Sequence, residues 1–384
     1  MNNPKTAFLK PITPNLLRYF FELHKIWRSN TFSNSGTQLL SFKNEISEFL
    51  NLSNPPAICA NGTVAEIALL KLLSLTSPKK EIVTTPYSFI SSASSIINAG
   101  LKPVFVDIDS QLTLSSVELD AAISEQTLAV LSVDVYGIPN NQETIRSICN
   151  KYSLLHLSDK SHSFGVKNFG VSTIAHSDFS FVSMHATKVM SAIEGGLIVA
   201  NSSTFPSISD IELYNNFGFS EGDACFHGFN GKMDELRAAF GRLNLRQLNK
   251  MIRLRKDVFN KYLDNGLAKY VLPRYLALHY SNSIDLNYSY LPILLSPDDR
   301  PLFLRDLNLS GINIKIYFER LIPDYLAFKA NTDIWKCSSA SNLDCARRLA
   351  SSIVTLPIYH QLPCKVIKSI CSIISRYSPY QTYF

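Results

Sequence analysis

Three short stretches carry residues whose types and placement could do chemistry. The first is FVSMHATKVMSAIEGGLIVA (181–200), where Lys188 stands between apolar flanks. An amine held in a partly apolar pocket loses basicity and can form a Schiff base with an aldehyde; the other reading is a surface lysine. The second is LLHLSDKSHSFG (154–165), where Asp159 directly follows a short apolar run. A carboxylate there could pair with a protonated heterocyclic nitrogen, or simply cap a turn. His162, three residues on, lines the same site or caps that turn. The third is Asn61-Gly62-Thr63, which precedes an apolar helical stretch. Free backbone N–H groups at a helix start, with a threonine hydroxyl, can hold a phosphate; the triplet also suits a plain turn and cap. Ser183, five residues before Lys188, could add a hydroxyl to that phosphate. A phosphate, a ring nitrogen and an aldehyde together describe pyridoxal 5′-phosphate.

The elements that must position these residues are legible as an alternation. Helical patterns are expected at 64–75, 91–100, 116–125 and 142–152, the third capped by Ser116. Short apolar strands are expected at 81–86, 102–109, 127–137, 154–159, 177–184 and 195–201. Strands alternating with helices imply a largely parallel sheet covered on both faces, whose ligands bind beyond the carboxyl ends of the strands. No G-x-G-x-x-G or G-x-x-x-x-G-K-[ST] competes for that position. After residue 201 the pattern changes. Residues 233–265 predict a long amphipathic helix or helix pair, 288–295, 300–311 and 312–318 a strand, helix and strand, and 342–352 and 365–376 a helical tail. The expected organisation is a large domain over 1–245 and a small C-terminal α/β domain over 246–384.

Composition narrows the function class. The 384 residues suffice for a large core, and 46% hydrophobic content is that of an ordinary globular chain. A net charge of +6 is too weak to imply nucleic acid, though it suits an anionic small substrate. No apolar run approaches a membrane span and the first residues show no signal pattern. The seven cysteines are dispersed without C-x-x-C spacing, which points to reduced thiols in a cytoplasm and to no metal site.

The motifs, in order and spacing, resemble the pyridoxal-phosphate-dependent nucleotide-sugar aminotransferases of the DegT/DnrJ/EryC type. ANGTVAEIALLKLL resembles that family's phosphate-binding turn, and TTPYSFISSASSIINAGLKPVFVDID its long signature with a Val-Phe-x-Asp strand. VYGIPNNQETIRSICNKYSLLHLSDKSHSFG resembles the segment ending in the ring-nitrogen aspartate. SMHATKVMSAIEGGLIVAN resembles the Schiff-base lysine segment, and GFNGKMDELRAAFGRLNL the Gly-x-Asn-x-[Arg/Lys]-Met-x-Glu motif.

The resemblance implies fold type I, a large mostly parallel sheet domain plus a smaller C-terminal α/β domain. It implies that Lys188 and Asp159 are catalytic. Lys188 would hold the cofactor and shuttle protons, and Asp159 would keep the ring nitrogen protonated. Phe89 would stack on the cofactor ring, with His162 beside it. Gly62, Thr63 and Ser183 would contact the phosphate, and Asn230 would reach the phosphate of the neighbouring subunit's cofactor. The implied partners are a nucleotide-linked keto sugar, L-glutamate and a second copy of the chain in a homodimer with shared active sites, with neither nucleic acid nor membrane. The wording of TTPYSF and HATKV…EGG looks most like enzymes acting on dTDP-4-dehydro-6-deoxyglucose for O-antigen or related glycans; UDP- and GDP-linked sugars and 3-amination stay open. A branch of the family that removes a hydroxyl carries histidine in place of the lysine, so Lys188 favours transamination. Three departures stand out. Ser158-Asp159-Lys160-Ser161-His162 replaces the usual Glu-Asp-Ala-Ala-[Gln/His], so that Lys160 is expected to bring an extra cation near the site. Asn34-Ser35-Gly36-Thr37 replaces Asn-Asn-Gly-Pro. NIKIYFERL matches the family's Arg-x-Tyr-Phe segment only loosely. The first of these leaves a non-catalytic sugar-nucleotide sensor as an alternative.

Overall fold

The structure, a computed structural model, describes residues 6–203 and 205–380. The expected domain ends at residues 1–5 and 381–384 lie outside the described residues, as does residue 204. An eight-stranded sheet organises residues 57–200 and takes its remaining strand from near the C-terminal end. Its strands are β1 (Ala57–Cys59), β2 (Glu81–Thr84), β3 (Lys102–Phe105), β4 (Thr127–Val133), β5 (Leu155–Asp159), β6 (Phe179–Ser183), β7 (Gly196–Ala200) and β8 (Lys336–Cys337). They lie in the order β1-β7-β6-β5-β4-β2-β3-β8. All neighbours are parallel except β7, which runs against both β1 and β6. Every residue of β4 (TLAVLSV) is buried, as a central strand covered on both faces requires.

The helices around this sheet are α1 (Leu16–Ser29), α2 (Thr37–Leu50), α3 (Gly62–Leu75), α4 (Ser91–Asn98), α5 (Ser116–Ala122), α6 (Gln142–Lys151), α7 (Ile208–Tyr214) and α8 (Glu235–Asp264). Local chemistry sets their starts. Asn61, in extended conformation, accepts the Val64 N–H and opens α3. Ser115, not the expected Ser116, caps α5 by accepting the Glu118 N–H, since Ser116 is already helical. Gly36 offers α2 no capping side chain. The buried Glu235 supplies the cap from α8, accepting the N–H groups of Gln38 at 2.7 Å and Leu39 at 3.2 Å.

The long C-terminal pattern resolves as one unbroken 30-residue helix, α8. The expected boundary at 245/246 falls inside it. Its first half packs with Phe42, Met184 and Leu197, whereas Val258, Phe259 and Tyr262 pack with the C-terminal residues. Beyond it, Leu291–Leu294 pairs antiparallel with Ile353–Leu356, a strand that the sequence reading assigned to no element, and Asp299–Leu309 forms the intervening helix. The expected strand 312–318 is not one. Among the described residues its ladder contacts are two isolated bridges, Ile312 with Thr6 and Lys315 with Thr355. Its far end is held by side-chain hydroxyls: the Phe318 N–H donates to Tyr87 Oη at 3.2 Å, and the Tyr136 hydroxyl donates to the Tyr317 carbonyl. The segment is therefore a loop pinned over the carboxyl edge of the large sheet. The 342–352 and 365–376 helices form over Asp344–Ser352 and Cys364–Ile374.

Candidate active site

The carboxyl ends of β5 and β6, the amino end of α3 and the 312–318 loop enclose a cavity of about 600 Å³. It is the place where an open α/β sheet binds ligands. Asp159 ends β5 and Ser183 ends β6, on adjacent parallel strands. Gly62, Thr63, Phe89, Asp159, His162, Ser183 and Lys188 all line it. Residues more than a hundred positions apart in sequence thus meet in one chamber.

Lys188 follows β6 through a turn in which its N–H donates to the His185 carbonyl at 2.9 Å. Burial pushes its amine down to about 8, while Asp159 pulls the other way. Burial raises the carboxyl of Asp159. Hydrogen bonding from Ser161, whose N–H donates to Oδ1 at 2.8 Å, and the charge of Lys188 act against that rise. Ser161 also accepts the Ser183 N–H at 2.8 Å, tying the ends of β5 and β6 together. His162 is buried between Tyr290 and Phe318, the Phe318 ring parallel to its own. The Tyr136 N–H donates to its Nδ1 at 3.2 Å, so the ring proton sits on Nε2. Burial drives this imidazole well below its usual range.

The amino end of α3 is packed tightly. A Cβ on Gly62 would lie 2.6 Å from Ser183 Cβ, and one on Gly196 would lie 2.3 Å from the Asn61 carbonyl oxygen. Glycine at both positions lets the N–H groups of a 14-residue helix approach the end of β6 directly. Phe89 is 56% exposed and faces the cavity, leaving an aromatic ring with an open face.

The family model for the DegT/DnrJ/EryC1/StrS aminotransferases matches residues 19–375. The chain belongs to that family. This aminotransferase is 34% identical to the dTDP-4-amino-4,6-dideoxy-D-glucose transaminase of Shigella dysenteriae, over 95% of this chain and 97% of the relative. It is 30% identical to the Escherichia coli protein of the same name, over 97% and 99%. Among solved structures it resembles Helicobacter pylori PseC, an aminotransferase involved in the biosynthesis of pseudoaminic acid, with a TM-score of 0.85 and 23% identity over 97% of this chain and 98% of that one. The aminotransferase depends on pyridoxal 5′-phosphate, and its cavity fits that group. A helix amino end with Thr63 and Ser183 suits the phosphate, the Asp159 carboxylate suits the ring nitrogen, the Lys188 amine suits the aldehyde, and the open face of Phe89 suits the ring.

One expectation needs correction. Lys160 brings no cation into the site: it is fully buried, absent from the cavity wall and paired with Asp134 at 2.7 Å. The Lys160 part of the motive for a non-catalytic sensor goes with it, while Ser161 stays in the cavity wall, bonded to Asp159 and to the Ser183 N–H. Asn230 is exposed and lies outside this chain's own cavity, with a backbone bridge to Asn216. The cavity also recruits residues that sequence reasoning passed over: Glu66, His185, Glu194, Tyr290, Lys315 and Tyr317. Glu66 had a legible signal, as the lone acid in the apolar run VAEIALLKLL. His185 and Glu194 lay inside the quoted HATKV…EGG segment without being assigned a role, and Tyr290, Lys315 and Tyr317, on loops, had no signal. Among the described residues no cluster of three or more His, Cys, Asp or Glu could hold a metal ion, and no helix is long and apolar enough to cross a membrane.

Proposed function

We propose that this enzyme transfers the amino group of L-glutamate to a nucleotide-linked 4-keto-6-deoxy sugar, best dTDP-4-dehydro-6-deoxy-D-glucose, to give a 4-amino-4,6-dideoxy sugar for a surface glycan such as O-antigen. The observation that carries the reading is the meeting of Lys188, Asp159 and the amino end of α3 in one cavity. The substrate reading draws on the named activity of the two relatives above, which cover nearly the whole chain.

Each residue has a task in this reading. Gly62, Thr63 and Ser183 hold the cofactor phosphate, Phe89 stacks on the ring, and His162 braces its side. Asp159 keeps the ring nitrogen protonated. When bound, the cofactor supplies an electron sink for the pair left on carbon as a proton departs. Lys188 Nζ takes the α-proton of glutamate in the first half-reaction. In the second it delivers a proton to the sugar carbon that gains nitrogen. An amine with a pKa of about 8 can do both near neutral pH. Asn230 serves the phosphate site of a second copy, and the working unit is a cytoplasmic homodimer. The departures at Asn34–Thr37 bear on sugar contacts, so UDP- and GDP-linked sugars and C3 amination are the competing substrates. The test is to supply glutamate with dTDP-, UDP- and GDP-4-keto-6-deoxy sugars and identify the product by NMR. An amino group at C4 of the dTDP sugar is the expected result. No turnover of any nucleotide sugar, or turnover retained in Lys188→Ala, would sink the reading.

A further inference from the structure

Among the described residues the cavity is lined by two lysines, Lys188 and Lys315, and by no arginine. Lys188 is committed to the aldehyde of the cofactor. Of the acids in the wall, Asp159 is committed to the ring nitrogen and Glu194 lies 3.4 Å from His185. Lys315 is left. Its side chain is exposed, and among the described residues it makes neither an ion pair nor a hydrogen bond. Its backbone, by contrast, is fixed. The Thr355 hydroxyl donates to the Lys315 carbonyl, and a bridge pairs the two residues. Two and three positions on, Tyr136 and Tyr87 hold the Tyr317 carbonyl and the Phe318 N–H. The Phe318 ring lies parallel to that of His162, with centroids 6.2 Å apart. A flexible four-carbon stem thus starts from a fixed point on the loop that braces the ring, and it ends in a compact, accessible charge.

A nucleotide-linked sugar supplies the matching charge. Its diphosphate lies between the sugar, which must reach Lys188, and the base, which lies farther out. Asp159 and Glu194 repel such a group, so a cation in the same wall is needed to offset them. Glutamate needs that cation less, because its own ammonium offsets one of its carboxylates. We infer that Lys315 is a further substrate-binding residue, whose ammonium anchors the diphosphate of the nucleotide-linked sugar. This rests on the assignment of nucleotide-linked sugars to the cavity above. A lysine meets phosphate as a point charge and does not read the base, so its contribution is the same for dTDP, UDP and GDP.

The test is calorimetric titration of the holoenzyme with dTDP, UDP and GDP, and with glutarate as a carboxylate control. Wild type is compared with Lys315→Gln, which removes the charge at an exposed position, and with Lys315→Arg, which keeps it. Lys315→Gln should bind dTDP at least tenfold more weakly at low salt, whereas Lys315→Arg stays within about threefold of wild type. The gap between wild type and Lys315→Gln should narrow from about 0.01 M to about 1 M salt. Affinity of the cofactor-free protein for pyridoxal phosphate should hold in both variants, since α3 receives that phosphate. Unchanged dTDP affinity in Lys315→Gln would overturn the inference, as would an equal loss in both variants or a loss confined to glutarate. Wild-type holoenzyme that binds none of the three nucleotides would instead overturn the nucleotide-sugar reading.

Discussion

Lys160 Nζ lies 2.7 Å from Asp134 Oδ2, and neither side chain reaches solvent. The same carboxylate accepts Ser163 Oγ at 2.8 Å and the backbone and side-chain nitrogens of Asn140 at 3.0 Å. The pair therefore braces the carboxyl ends of β4 and β5, which it directly follows. Removing one partner of a buried pair strands the other charge, at a cost of about 3–5 kcal/mol. Lys160→Met should lose that much in a denaturant titration, and the double variant with Asp134→Asn should regain most of it. A single variant as stable as wild type would refute the bracing role.

The amine of Lys188 sets a pH dependence with a definite sign. Burial lowers it from 10.5 to about 8 in the folded chain. Between those values the unfolded chain holds a proton that the folded chain does not, so stability of the cofactor-free protein rises with pH across that window. Below about pH 8 the penalty is fully present. Lys188→Met should lack the rise, and its stability advantage over wild type should shrink above pH 8. Denaturant titrations on either side of pH 8 decide it; parallel curves for the two proteins would contradict the assignment.

Gly62→Ala should separate α3 from β6. The added Cβ meets both Cβ and backbone Cα of Ser183, at 2.6 and 2.9 Å, so the collision cannot be relieved by a side-chain rotation. The expected outcome is a loss of at least tenfold in pyridoxal phosphate affinity, about 1.4 kcal/mol, measured by absorbance titration. Full affinity would mean that the close approach of α3 to Ser183 is dispensable.

His162 should stay neutral throughout the physiological range. Its Nδ1 accepts the Tyr136 N–H and its ring is buried, which holds it well below the ordinary value of 6.5. Imidazole nitrogen shifts should report a proton on Nε2 with no titration near pH 6.5. A ring that titrates there would remove His162 from its packed position.

Asp107, just beyond β3, caps a helix from the other end of the chain. It accepts the N–H groups of Cys345 at 2.7 Å and Ala346 at 2.8 Å, at the start of Asp344–Ser352, whose own N-cap Leu343 has no side-chain acceptor. Asp107→Ala should cost about 1–2 kcal/mol, read from the thermal melt, with Asp107→Asn losing less. An unchanged melt for Asp107→Ala would show that water replaces the cap.

The helices and main strands of residues 62–201 were legible because each of these elements declares itself locally, whereas the three-residue β1 (Ala57–Cys59) was too short to do so. Short, mostly apolar, β-branched stretches bounded by turns, such as TLAVLSV, read as buried strands, and Asn61 carries its own capping oxygen. The 312–318 segment was misread for the complementary reason. Its alternation suits a strand, yet the Phe318 N–H and the Tyr317 carbonyl bond to Tyr87 and Tyr136, whose proximity no local pattern encodes.

The sequence by itself determined the family and the sheet. It also determined the identity of the residues that can form a Schiff base, hold a ring nitrogen and cradle a phosphate, because residue type and spacing carry that chemistry. Only the tertiary structure decided where charge ends up. Lys160 and Lys188 both lie in short polar breaks between apolar runs. One is sealed against Asp134 just past the ends of β4 and β5 and the other opens into the cavity, where burial lowers its amine to about 8. Glu66 is likewise an ordinary helix residue until α3 packs its face against Asp159. Burial and the distance to an opposite charge set the protonation of such groups, and both are properties of the folded chain.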